Sequence, residues 1–322
     1  MPTPPDGPDP YGEPDPEWLR IDWRRHVQRV ELDTSGLEPH PGSMLDPART
    51  TVNYAEMGEG PSLVLVHGLG GCWQTWLENI PRLARHHRVL ALDLPGFGGS
   101  PMPGWEISIQ TYGALLRRFC ETLGTGPAGL VGNSMGGFVS AETTVSEPHS
   151  VRKLGLVSAA GISHARMYRA PVETAGRMGR ALTPRLVPDH ERLLRRPRMR
   201  NMVRHIFHKP RQLRTELLWE VVGRGLNAPG MVAAIRGLAG YDILHRLAEV
   251  EIPTLVVWGR NDLVVSPSDG IEFARLIRNS RLVIFDRCGH VPMAERPVRF
   301  NRLLEEFLAL GEPTENARLG GA

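Results

Sequence analysis

The sequence predicts an α/β protein: a mostly parallel, eight-stranded sheet flanked by helices, with a helical insertion after the sixth strand. Two observations carry this reading. Short apolar runs alternate with segments of helical period along 50–161, and again from 254 onward. That rhythm buries a parallel sheet on both faces. Between the two stretches, 162–245 is rich in Arg, Leu and Pro and has no strand-like run. A length of 322 residues, with apolar residues at 41% and charged residues at 23%, suits a soluble globular chain with one large domain or two ordinary ones.

Taken in order, 1–25 is dense in Pro, poor in aliphatics and without periodicity, which predicts a disordered tail. Residues 27–32 (VQRVEL) alternate apolar and polar, as an edge strand does, and 51–57 (TVNYAEM) is a second strand able to pair with it antiparallel. Residues 34–49 read as a long loop. Strands follow at 62–66, 88–92, 129–131, 151–158, 254–258 and 282–285, with helices at 73–84, 112–123, 138–146, 269–277 and 297–309. The expected organisation is therefore a tail over 1–25 and a core in two parts, 26–161 and 246–310. The helical insertion takes 162–245, and a frayed tail takes 311–322.

Composition excludes several function classes. There is no uncharged apolar run long enough for a membrane span and no apolar signal-peptide core. Cys72, Cys120 and Cys288 are scattered, which suits neither a disulfide framework nor a metal site and points to a reducing cytoplasm. No phosphate-binding or dinucleotide fingerprint occurs, so no cofactor or metal is expected. Charge is uneven: 162–246 holds 17 basic and 6 acidic residues, a net of +11, which leaves −8 on the rest of a chain whose total is +3. A basic segment without a recognition module argues against nucleic acid. It fits a solvated helical face, attraction to an anionic substrate or peripheral contact with an anionic membrane.

The chemistry-bearing pattern is Gly132-Asn133-Ser134-Met135-Gly136, set between a strand and a helix. A chain turning sharply from strand to helix needs small residues two before and two after the turn, and it exposes the central hydroxyl above the sheet. Serine is a weak nucleophile and needs a base. Among 12 histidines, His290 stands just after the last strand, where such sheets gather their sites. His67 is the rival, with a structural role in the glycine-rich loop as the better reading. Asp262, directly after the strand 254–258, completes the order Ser, Asp, His. Asp93 and Asp286 are the other acids near strand ends, read as structural braces. The backbone N–H of Met135 and that of Leu69, with Gly70 as the close alternative, are placed to meet an oxyanion. Trp73, Trp76 and Phe138, and Met167, Met178, Met199 and Met202 of the insertion, fit either a pocket lining or core filler.

These motifs, with Asp93-Leu94-Pro95-Gly96-Phe97-Gly98-Gly99-Ser100 and Gly289-His290-Val291-Pro292, resemble those of the α/β-hydrolase superfamily over residues 50–310. The resemblance implies that the insertion is a helical cap over the site. It also implies a serine hydrolase that acts through an acyl-enzyme on Ser134. The Gly-Asn-Ser-Met-Gly-Gly stretch is similar to that of carboxylesterases, monoacylglycerol lipases and meta-cleavage-product hydrolases, which cut C–C bonds. The last group often carries an aromatic residue after the histidine, where this chain has Val291, and a cap arginine for the substrate carboxylate. The expected substrate is a small-molecule carboxylic ester with an apolar or lipid-like acyl part. C–C, lactone or amide hydrolysis is the alternative, ahead of a non-catalytic binding role. The oligomeric state is open.

Overall fold

A computed structural model of the chain describes residues 9–162, 199–223, 228–239 and 241–310. Eight strands form one sheet: β1 (Val27–Asp33), β2 (Arg49–Met57), β3 (Ser62–Val66), β4 (Arg88–Leu92), β5 (Ala128–Asn133), β6 (Val151–Val157), β7 (Thr254–Gly259) and β8 (Ser280–Phe285). Their spatial order is β1-β2-β4-β3-β5-β6-β7-β8. β2 runs antiparallel to both neighbours, β1 and β4. All other pairs are parallel. The antiparallel pair expected at one edge is thus present.

The all-apolar runs of the central strands follow from burial on both faces. Val64 and Val66 of β3 face one core cluster, and Leu63 and Leu65 face the other. On the first face lie α2 (Ile109–Thr122) and α3 (Met135–Ser146), through residues such as Leu116, Phe119 and Phe138. The hydroxyl of Ser108 caps α2 by accepting from the Thr111 N–H at 3.1 Å. On the second face lies the C-terminal helix Pro297–Ala309, through Phe300, Leu304 and Phe307. The chain leaves β3 toward β4 on one side and returns to β5 on the other. The loops after β3 and β5 therefore flank a topological switch point, where open α/β sheets bind ligands.

Two sequence expectations need correction. The helix expected over 73–84 is instead a 3₁₀ turn, Trp73–Trp76, and a separate short helix, α1 (Ile80–Leu83). Pro81 has no N–H to continue a helix from Trp76, so a new one starts beside it. Within the tail expected to be disordered over 1–25, residues 9–25 are ordered, and 1–8 lie outside the described residues. Its 3₁₀ turns Glu17–Arg20 and Trp23–Arg25 are held by Trp18, which is 6% exposed within the second core cluster. The aromatic anchor supplies the burial that the Pro-rich composition lacks.

Between β6 and β7 the described part of the insertion is helical. It contains α4 (Thr215–Leu218), a π turn over Trp219–Gly223 and α5 (Met231–Ala239). The expectations for 163–198 and for the tail 311–322 lie outside the described residues. Among the described residues, no helix is long and apolar enough to cross a membrane.

Candidate active site

The turn from β5 into α3 sets the centre of the site. Ser134 takes φ 53° and ψ −118°, a conformation that strains any residue with a side chain. Its surroundings over-determine that geometry. The Ser134 N–H donates to Val157 O at 3.0 Å, and Ser134 O accepts from Ala160 N at 3.0 Å. The spacing of the glycines is a matter of backbone contact. A Cβ on Gly132 would lie 2.2 Å from Gly136 O, and one on Gly136 would lie 2.3 Å from Val66 O. Ser134 precedes α3 without capping it, so its hydroxyl is not spent on the helix.

His290 follows β8 and Asp262 follows β7. The His290 Nδ1 lies 2.8 Å from Asp262 Oδ2. The other oxygen, Oδ1, accepts from Val264 N at 2.8 Å and Val265 N at 3.0 Å. A carboxylate only accepts, so the imidazole proton sits on Nδ1 and Nε2 keeps a lone pair. The backbone of His290 is pinned as well: its N–H donates to Ile206 O at 2.7 Å, and its carbonyl accepts from Asn133 Nδ2 at 3.1 Å. Both His290 and Asp262 are buried.

The rival histidine has no free nitrogen. His67 Nε2 accepts from Leu94 N at 3.0 Å, and Nδ1 faces Gly68 O at 2.7 Å. Burial lowers its pKa, so the ring stays neutral and braces the glycine-rich loop. Asp93 likewise accepts from Trp73 N at 2.6 Å, Gly99 N at 2.7 Å and Asn53 Nδ2 at 2.8 Å. Asp286 pairs with Arg260 at the surface, and that guanidinium holds its carboxyl below the usual range.

Ser134 and His290 line one cavity of about 310 Å³, and Leu69 and Gly70 line it too. Met135 is the first residue of α3, where backbone N–H groups have no helical partner. The remaining wall is mostly apolar: Ala160 and Val264 from the core, with Ile206, Val221, Met231, Ile235 and Leu238 from the insertion. Among the described lining residues there is no lysine, arginine or carboxylate, and His205 is the one titratable group besides His290. The insertion's contribution escaped sequence reading, although 231, 235 and 238 recur at helical spacing. Trp73, Trp76 and Phe138 are core residues and do not line the cavity. Met202 is 62% exposed; Met167, Met178 and the Met199 side chain lie outside the described residues. Among the described residues no group of side chains could hold a metal ion.

Known proteins resemble this chain in sequence and in fold. A family model for the alpha/beta hydrolase fold matches residues 61–297. The 2-hydroxy-6-oxo-6-phenylhexa-2,4-dienoate hydrolase of Comamonas testosteroni is 30% identical, over 80% of this chain and 91% of that protein. A monoacylglycerol lipase of Bos taurus is 26% identical, over 81% of this chain and 79% of that protein. A thermophilic esterase from Thermogutta terrifontis superposes with a TM-score of 0.71 at 25% identity, covering 87% of this chain and 98% of that one. Matched over most of its length in sequence and in fold, the chain belongs to the alpha/beta hydrolase family.

Proposed function

We propose that the protein is a serine esterase acting on small esters with an apolar acyl group. The observation that carries this reading is the mostly apolar cavity into which Ser134 and His290 open, with no lysine or arginine among its described lining residues. Ser134 attacks the ester carbonyl while His290 Nε2 takes the hydroxyl proton. The tetrahedral oxyanion is met by the N–H groups of Met135 and Leu69. His290 returns the proton to the leaving alcohol, then activates water to free the acid, and Asp262 keeps the imidazole in the working tautomer. The insertion over 162–245 acts as the cap that shapes the pocket. Similarity to an esterase and a monoacylglycerol lipase supports the ester reading. Burial of Cys72, Cys120 and Cys288, with no disulfide among the described residues, supports a cytoplasmic location.

The second reading is C–C hydrolysis, favoured by 30% identity to the dienoate hydrolase. A substrate of that kind carries a carboxylate, which is best met by an arginine or lysine, and the described wall has neither. The two readings separate in one assay, p-nitrophenyl esters of graded length beside a vinylogous diketone acid. A cavity of about 310 Å³ is at the small end for ligand pockets. Short and medium acyl chains are therefore expected to exceed long ones in kcat/KM by about tenfold or more. Faster turnover of the diketone acid than of any ester would overturn the ester assignment.

The basic insertion also supports peripheral contact with an anionic membrane. Arg204, Lys209 and Arg211 line one surface pocket with no acid among its described lining residues. Binding to anionic vesicles is expected to fall steeply with salt. Equal binding to neutral vesicles at low salt would sink this contact.

A further inference from the structure

Behind the catalytic loop lies a buried carboxylate that the acyl-transfer chemistry does not use. Glu295 ends the short helix Pro292–Glu295 and is 0% exposed. Its Oε1 accepts from Gly289 N at 2.8 Å, one residue before the proposed base. Its Oε2 accepts from His208 N of the insertion at 2.9 Å and from the Tyr11 hydroxyl of the N-terminal segment. The Tyr11 oxygen in turn accepts from Lys209 N at 2.7 Å, and Gly12 N donates to the Glu295 backbone carbonyl at 2.9 Å. Two residues from His208, the Ile206 carbonyl holds the N–H of His290. One side chain thus ties together the catalytic loop, the pocket-lining part of the insertion and a segment outside the 61–297 match.

We propose that Glu295 is a positioning residue for His290, and that Tyr11 makes the N-terminal segment part of that device. This rests on the assignment of His290 as the base. Three donors converge on the carboxyl, so only its ionised form accepts from all of them. A proton on Oε1 would face the Gly289 N–H and break that contact, and one on Oε2 would face the His208 N–H or reverse the bond to Tyr11. Loss of these contacts frees the loop backbone beside His290 and the strut at Ile206. The groups around Glu295 are Tyr11 and Asp9 of the N-terminal segment, His208 and Lys209 of the insertion, and Cys288 and Arg296 of its own region. Burial is the largest influence, pushing the Glu295 pKa up to about 7, while the Tyr11 hydrogen bond pulls it down.

The signs then separate positioning from simple packing. A carboxyl whose folded pKa is raised favours the folded state when protonated, so stability falls as pH rises from the unfolded value toward about 7. Activity should run the other way, falling as Glu295 gains its proton. The test is the pH profile of kcat and KM for wild type, Tyr11→Phe and Glu295→Gln on a p-nitrophenyl ester, with thermal melts at each pH. In wild type the acid limb of kcat should be steeper than a one-proton limb. In Y11F it should move to higher pH, with KM within about twofold. E295Q should lower kcat about 10–100-fold, by analogy with lost supporting contacts at catalytic ligands, and should leave a one-proton limb. Superimposable kcat profiles for wild type and Y11F, or kcat losses that simply follow the melting temperatures, would overturn the proposal. Loss of all three acid limbs together with Ser134-independent turnover would instead strike the assignment of His290 itself.

Discussion

Ser134→Ala is expected to lower kcat for ester hydrolysis by roughly 10⁴–10⁶-fold while leaving the protein folded. The size follows from the division of labour proposed for the site. Without the hydroxyl no acyl-enzyme forms, and only substrate binding and the Met135 and Leu69 N–H groups remain to act on water. The fold has no reason to fail, because the Ser134 backbone is held by Val157, Ala160 and Phe138 through bonds that Ala also makes. Ser134→Gly separates chemistry from strain. It should be as inactive as Ala but more stable by about 1–2 kcal/mol, since glycine alone accepts φ near 53° without cost. In a domain of this size that corresponds to a rise in Tm of a few degrees, roughly 2–6 °C. Steady-state rates, labelling by a serine-directed phosphonate and thermal melts on the three proteins provide the check. Residual activity above about 1% in well-folded S134A would assign the nucleophile elsewhere.

Much of this site is written locally. Gly132 and Gly136 are legible because the clash they avoid involves atoms within the turn and the adjoining β3 strand. Asp262 and His290 are legible because parallel strands deliver their following loops to one edge of the sheet. Position in the sequence already favours His290 over His67. What occupies the His67 ring is a different matter: the two hydrogen bonds, from Leu94 and to Gly68, are ones that no spacing reveals. The order of the N-terminal segment is hidden from its sequence for a similar reason. Its order comes from partners far along the chain, Glu295 for Tyr11 and Arg214 for Pro14, while its local composition is that of a disordered tail. The cavity wall falls between these cases. The stripe Met231, Ile235 and Leu238 is visible as periodicity. Which way that face of α5 turns depends on close backbone approaches elsewhere, at Gly237 against Ile107 and at Gly230 against Gly96.

Asp262→Asn should be nearly as damaging as loss of the nucleophile, with kcat down about 10⁴-fold and little change in KM. The change is almost isosteric, so the argument turns on which way the amide points. The N–H groups of Val264 and Val265 converge on Oδ1 of Asp262. They demand an acceptor there, so the carbonyl oxygen of Asn takes that position and its NH₂ must face His290. The Nδ1 atom, 2.8 Å away in the native protein, would then have to accept, and the imidazole proton would move to Nε2. That tautomer presents a proton to Ser134 where a lone pair is needed. Flipping the amide restores the imidazole but sets an NH₂ against two N–H donors, at a cost of about 1–3 kcal/mol for each buried group left unsatisfied. Nitrogen chemical shifts of ¹⁵N-histidine should therefore show the Nδ1-H form in the wild type and the Nε2-H form in the variant. Asp262→Ala removes the restraint without imposing the wrong tautomer, so it should retain more activity than Asn. If Asn proves the milder change, the carboxylate acts mainly through its charge on the imidazolium rather than by holding the tautomer.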